Sequence, residues 1–402
     1  MADVTGIVSR QDFLAQTLHD DLVYAGSKLE VDSNNPKVAI IRTSDRITFK
    51  KCRRRWGWSS HLRHNLGPKQ AQSPLWLGSG FHFGLEDFHG YNRFGHPREA
   101  FLAYVKAFTD HFPNKLPERW ELDRDLGVEM LEYYILWLQQ QRNPLRTFWF
   151  NGEPQVEVNF RFEVPFDASK WGYERVEYSG TIDRVVEDEN GLLWFMDYKS
   201  AKAIQTLHYL TDPQVSVYMW AGPYIYGREM GGFIYQQHRK TIPRPPTKLV
   251  RGGVSIAQNM STSRLLYKQT LEEVYGTVEA SPRENIDYLN QLTLREHPDY
   301  DDYVRRDYIN RNSASAEAEG TKILLELEDM LNPDLPLYPN PDRDCAVMCS
   351  FHSPCVSLDD GSDWRYELDI SMESRPNSYD PWRKYIKWPG DPKDDFNLDF
   401  LK

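Results

Sequence analysis

"GTIDRVVEDENGLLWFMDYKS" (residues 180–200) decides how this chain is read. It forms most of a longer segment, residues 175–201, with the pattern of a β-hairpin: two apolar-rich runs around "EDENG". An acid and a lysine, Asp197 and Lys199, sit two apart inside the second run. Burying such groups costs several kcal/mol unless they are paired or hold a metal. Strand side chains alternate, so Asp197 and Lys199 share a face. Asp183 lies 14 residues upstream, across the turn. Phosphodiester hydrolysis needs carboxylates that converge on Mg²⁺ or Mn²⁺ and a cation near the attacking water.

Turn length decides whether Asp183 can join them. A two-residue Asn190-Gly191 loop would point Asp183 away from Asp197. A three-residue loop, Glu189–Gly191, pairs Asp188 with Leu192 and brings Asp183 opposite Asp197, with Gly191 in the left-handed position. The chemistry therefore requires the three-residue loop. The plain alternative is a hairpin with an i,i+2 ion pair.

Outward from the hairpin, residues 154–166 alternate as a half-buried strand, and Glu157 there is a candidate supporting acid. Residues 211–227 predict a helix capped by Asp212 with Pro213 first, and 231–240 a further strand. Upstream, helices are expected over 44–58 (capped by Ser44 or Asp45), 75–91, 97–112 and 125–142. Downstream come a Pro/Gly-rich connector (241–253), helices at 262–277 and 314–332, and an irregular segment from Pro336. The division expected is a lead-in (1–43), a helical region (44–150), a core (151–240), a helical insertion (241–335), a cysteine segment (336–360) and an acidic tail (361–402). This order is an α/β or α+β pattern.

The net charge of −11 argues against a protein that coats nucleic acid non-specifically. Local basic tracks remain, and "KKCRRRW" (Lys50, Lys51, Arg53, Arg54, Arg55 and Trp56) is a candidate DNA-binding stretch: cations for phosphates, an indole for stacking. Its bland alternative is a solvated helix face with a core Trp. No apolar run is long enough for a membrane span, so no membrane partner is expected. No leader pattern opens the chain, and a reducing cytoplasm, bacterial or phage-infected, is the expected compartment. In that compartment the four cysteines suggest metal binding or reactivity: Cys52, then Cys345, Cys349 and Cys355 as C-x3-C-x5-C. Four thiolates suit tetrahedral zinc or an iron–sulfur cluster.

Taken together, "GTIDRVVEDENGLLWFMDYKS", the "PQVSVYMW" that follows and the upstream "GSGFHFGLE" resemble the PD-(D/E)xK nuclease superfamily in its RecB-like branch. The resemblance implies a restriction-endonuclease-like α/β core, a central mixed sheet flanked by helices, with a helical N-terminal region and a cysteine-rich C-terminal segment. It implies Asp183, Asp197, the Tyr198 carbonyl and His82 as ligands of Mg²⁺ or Mn²⁺, Lys199 as the aid to the attacking water, and Gln214 and Tyr218 as organisers of the site and the DNA backbone. Several RecB-like nucleases (the AddB subunit, CRISPR adaptation nucleases, the exonuclease V group) also tie their domain ends with a [4Fe-4S] cluster on one early and three late cysteines. Their usual late pattern is nearer C-x2-C-x5-C, so the extra residue here leaves zinc open as well.

The activity implied is a metal-dependent DNA exonuclease acting on single strands or DNA ends in recombination, repair or replication. A non-catalytic iron–sulfur DNA-binding or docking module and a structure-specific endonuclease are the alternatives. No G-x-x-x-x-G-K-[ST] motif is present, so coupling to a motor would need a helicase or recombination partner.

Overall fold

The computed structural model describes residues 31–32, 35–140, 145–295, 302–375 and 380–390. The lead-in before residue 31 and the tail from residue 391 lie outside the described residues. Six longer strands are β1 (Asn35–Arg42), β2 (Val156–Val164), β3 (Arg175–Glu187), β4 (Leu193–Ala201), β5 (Gly232–Arg239) and β6 (Val304–Ile309). They make a mixed sheet flanked by helices, the expected class.

The chain forms two compact units from interleaved segments. One takes the described residues up to Gln70, with Phe160–Gly180 and Gly320–Tyr379. The other takes Ala71–Asn159, Thr181–Glu319 and the described residues from Asp380. Strands β2 and β3 each contribute residues to both.

In the second unit the end of β3 pairs antiparallel with β4, β4 runs parallel to β5, and β5 pairs antiparallel with β6. The parallel step needs a crossover, supplied by helix Pro213–Tyr226. Its start is as expected: the Asp212 side chain accepts from Gln214 N, and Gly227 closes the helix at φ 65°. Met196 and Tyr198 of β4 join helices Ser73–His89, Pro97–His111 and Trp120–Leu138 in one aromatic-rich core. Phe195, on the alternate face, packs against Tyr218 and Tyr226 of the crossover helix.

Strand β6 and helix Arg283–Arg295 were not expected. "VRRDYI" reads as polar, yet Arg306 and Asp307 are buried. Arg306 Nε donates to Gln236 Oε1 (2.9 Å), and Gln237 Nε2 donates to Asp307 Oδ2 (2.7 Å). Polar pairs across the two strands replace the apolar alternation that marks a strand in sequence.

In the first unit β1 lies parallel to the start of β3. Gly180, the glycine of "GTID", sits where a Cβ would come 2.5 Å from the Phe160 ring and 2.7 Å from Thr43 Oγ1. The helix expected over 44–58 is two helices, Thr43–Lys51 and Arg53–Ser59; Arg42, not Ser44 or Asp45, stands at the first N-cap position, without a side-chain cap bond. The break falls at Cys52, whose φ of −159° is extended and whose sulfur accepts from Arg55 N. The segment from Pro336 is not irregular throughout: helices Cys345–Met348, His352–Asp360 and Trp364–Ser371 form there. They close a small core around Trp58, Phe351, Leu358 and Met372.

Candidate active site

The β3–β4 connection is the three-residue loop the chemistry requires. Asp188 N donates to Leu192 O (3.1 Å) and Gly191 adopts φ 76°. The Asp188 carboxylate pins the turn by accepting from the N–H groups of Asn190 and Leu192 and from Trp194 Nε1. Pairing runs Glu187–Leu193 to Arg184–Met196, and one step further along that register stands Asp183 opposite Asp197. Asp183 Oδ2 accepts from Tyr198 N at 2.8 Å.

His82 projects from helix Ser73–His89. Its Nε2 lies 2.9 Å from the Tyr198 carbonyl, which can only accept, so Nε2 carries a proton. Nδ1 is thereby turned to the acids, 3.4 Å from Asp183 Oδ2 and 3.8 Å from Glu157 Oε1. One ligand atom from each of His82, Glu157 and Asp183 falls within 4.8 Å of the others. Glu157 is thus in the cluster itself, not beside it. At Glu157 the chain leaves the extended path (φ 47°), a conformation costing a non-glycine residue roughly 1–2 kcal/mol. Strand alternation gives no warning of such a departure. The Tyr198 carbonyl is occupied by the imidazole N–H.

Asp197 is 3% exposed. Its Oδ1 accepts from Gln214 Nε2 (2.9 Å), and Lys199 Nζ lies 2.6 Å from Oδ2. Four residues on from Gln214, the Tyr218 hydroxyl donates to the Thr181 carbonyl (2.5 Å). One helix face therefore fixes the β4 carboxylate and the β3 backbone two residues before Asp183. Tyr218 is buried and its hydroxyl engaged, so it braces the strand.

Burial opposes charge on the His82 imidazole, but Asp183 and Glu157 outweigh it and raise its pKa to about 9. Burial, opposed by Lys199 and reinforced by Asp183, lifts Asp197 to about 6, and burial also lifts Asp183. Lys199 is held protonated, Asp197 and Asp183 overcoming its own burial. Crowded acids that draw protons onto themselves and onto a neighbouring imidazole are a site short of positive charge. Asp197 Oδ2 is buried and has no directed hydrogen bond beside the lysine ion pair. Carboxylate oxygens with one imidazole suit a divalent cation; His82 Nδ1, Glu157 and Asp183 are the clustered groups able to hold it, with Asp197 one register step away opposite Asp183.

The basic stretch is a different matter. Trp56 is fully buried and its Nε1 donates to Asp45 (3.0 Å), so it cannot stack on a base. Arg54 is buried against Asp359 (2.7 Å) and Cys355 Sγ (3.3 Å). Lys50, Lys51 and Arg53 pair with Glu326, Asp344 and Asp329. Arg55 lines the cysteine cavity. Lys50, Lys51, Arg53 and Arg54 are thus engaged with acids of their own unit.

That cavity, about 140 Å³, is lined by Cys52, Cys345, Cys349 and Cys355 with Trp58 and Phe351. All four thiols are free and half-buried. Arg55 N, Asp342 N and Arg54 Nη1 donate to Cys52, Cys345 and Cys355 sulfurs. Tetrahedral zinc, with Zn–S bonds of about 2.3 Å, sets its sulfurs about 3.8 Å apart. Four thiols, three of them accepting N–H donors at sulfur, suit either tetrahedral zinc or an iron–sulfur cluster.

Among curated proteins none matches this chain. A family model, that of the PD-(D/E)XK nuclease superfamily, matches residues 44–356.

Proposed function

The chain belongs to the PD-(D/E)XK nuclease superfamily, whose members are in general metal-dependent nucleases, and from that premise we propose that it is a Mg²⁺- or Mn²⁺-dependent DNA exonuclease. It acts on single strands or DNA ends in recombination, repair or replication. The observation that carries this reading is the convergence of His82, Glu157 and Asp183, with the Asp197–Lys199 pair on the strand opposite.

His82 through Nδ1, Glu157, Asp183 and Asp197 hold the cation. When bound, it supplies Lewis-acid polarisation of the scissile phosphate and a more acidic water. Lys199, charged, donates a hydrogen bond to the attacking water or a phosphate oxygen and offsets the charge that develops there. Gln214 fixes the Asp197 rotamer and Tyr218 fixes the strand bearing Asp183. The full set of acids and lysine favours catalysis over a binding-only module, and the acidic whole favours an enzyme that threads an end over one that coats a duplex.

The four cysteines hold a [4Fe-4S] cluster in this reading. It staples the first unit by closing the long path between Cys52 and Cys345.

End-labelled single- and double-stranded DNA with Mg²⁺ or Mn²⁺ tests the activity. Wild type should release short products from an end and leave closed single-stranded circles intact. Lys199→Met should slow cleavage roughly 10²–10³-fold in a protein that still folds by circular dichroism. Cutting of circles would replace the exonuclease with an endonuclease, and full activity in Lys199→Met would sink the mechanism.

A further inference from the structure

Beside the candidate active site the second unit carries a cavity of about 280 Å³ that the reading above does not use. Glu86, Tyr91, Arg93, Val156, Arg383 and Trp388 are among its lining residues. It adjoins the carboxylates at two points: Val156 directly precedes Glu157, and Glu86 is one helical turn beyond His82.

Two tight turns present aromatic rings at this place. In the first, after helix Ser73–His89, the Asp87 carboxylate accepts from the N–H groups of Arg93 and Phe94, with Asn92 at φ 50° and Gly95 at φ 72°. The second is the hairpin in which Trp149 pairs with Pro154 across Asn151-Gly152, both at positive φ. The two turns meet where the Tyr91 hydroxyl bonds the Glu153 carboxylate and the Tyr91 and Trp149 rings lie edge to face at 5.9 Å. Both rings stay half-exposed, at 51% and 50%. Aromatic residues held rigidly yet left in water are poised to be covered by something flat.

Charge points the same way. Arg383 is neutralised by Glu86 through bonds of 2.9 and 2.6 Å. The Arg93 guanidinium makes no ion pair among the described residues. It lies 5.2 Å from the Tyr91 ring centroid and 4.6 Å from that of Trp388. An aromatic-backed arginine beside two open rings is the combination that grips unpaired nucleic acid: bases on the rings, a phosphate on the guanidinium.

We propose that Tyr91, Trp149 and Arg93 form a platform for the unpaired strand flanking the scissile phosphate, an assignment that rests on the nuclease reading. Tyr91 and Trp149, nearly perpendicular, each take one base splayed from the strand, and Arg93 takes a phosphate beside them.

The test is binding of a fluorescent oligothymidylate to the full chain in EDTA, followed by anisotropy across a salt series, with folding of each variant checked by circular dichroism. Tyr91→Ala and Trp149→Ala should each weaken binding about tenfold. Tyr91→Phe, which keeps the ring and loses only the bond to Glu153, should bind like wild type. Arg93→Ala should lower the slope of log affinity against log salt by about 0.7, the share of one phosphate contact on a single strand. Wild-type affinity in both alanine variants, an unchanged salt slope, or Tyr91→Phe as weak as Tyr91→Ala would overturn the platform. A chain that binds in this way but cuts no DNA would keep the platform and sink the nuclease reading. A chain that cuts while its variants bind like wild type would sink the platform alone.

Discussion

The carboxylate cluster and the cysteine cavity are two opposite ways to make room for metal. In the first, charged groups are buried on regular elements and oriented before any ion arrives. Asp183 is held by a backbone N–H, Asp197 by Gln214, and the His82 ring by a carbonyl. In the second, four half-buried thiols line a cavity of about 140 Å³. Burial raises the pKa of Cys349 and Cys355, which keeps both neutral until something removes their protons. The difference is one of cost. A preorganised acidic site carries electrostatic strain that its scaffold must absorb, whereas neutral thiols carry little strain and add cohesion only through a metal that binds them.

The sharpest way to break this contrast is to empty the two places separately. EDTA should abolish cleavage while leaving the visible absorbance of an iron–sulfur chromophore intact. Cys52→Ser should remove that absorbance and lower the melting temperature, because a metal bound only by the folded state stabilises it. Loss of colour in EDTA, or a Cys52→Ser protein as coloured and heat-stable as wild type, would end the distinction.

A smaller effect probes packing around the first unit's glycine. Gly180→Ala forces a methyl group against Phe160 and should cost about 1–3 kcal/mol in urea unfolding. A neutral result would mean that the glycine serves something other than close approach.

The smallest effect concerns acid. His238 is buried, and burial, the charge on His82 and Arg306 push its pKa down to about 3. Its Nε2 faces the Gln236 amide at 3.0 Å. An unfolded histidine takes a proton near pH 6.5, so between about 6.5 and 3 the unfolded state binds more protons and stability falls with pH. Asp197, raised to about 6, works the other way over part of that window. The readout is therefore the difference between wild type and His238→Gln in metal-free buffer: the variant should lose less stability from pH 7 to 4. Equal losses would show that the buried imidazole is not an acid-sensitive point.

The acidic site was largely legible in the sequence because its logic is local. Parity across a three-residue turn, i,i+2 alternation and i,i+4 spacing each place two side chains without knowledge of the rest. Glu157 escaped full notice because its place depends on a positive φ inside a strand, which residue type does not announce. Strand β6 escaped because its buried partners are polar. Around the cysteines the spacing was readable but the surroundings were not. Lys50, Arg53 and Arg54 carry the same letters whether they face solvent or the acids of a distant segment. Those acids, Glu326, Asp329 and Asp359, are far along the chain, and no local pattern links them to residues near 50.

The interleaving of the two units bears on how the molecule is made. The first unit needs Gly320–Tyr379, so it cannot be completed on the ribosome until most of the second has been synthesised. At about 5–20 residues per second, Cys52 emerges some 15–60 s before Cys345 follows it out. Through that interval the thiol has no partners, and the nascent chain is exposed to oxidants and to stray metal. Expression yield should therefore track the speed of translation and the supply of reducing equivalents more closely than the thermal stability of the finished protein.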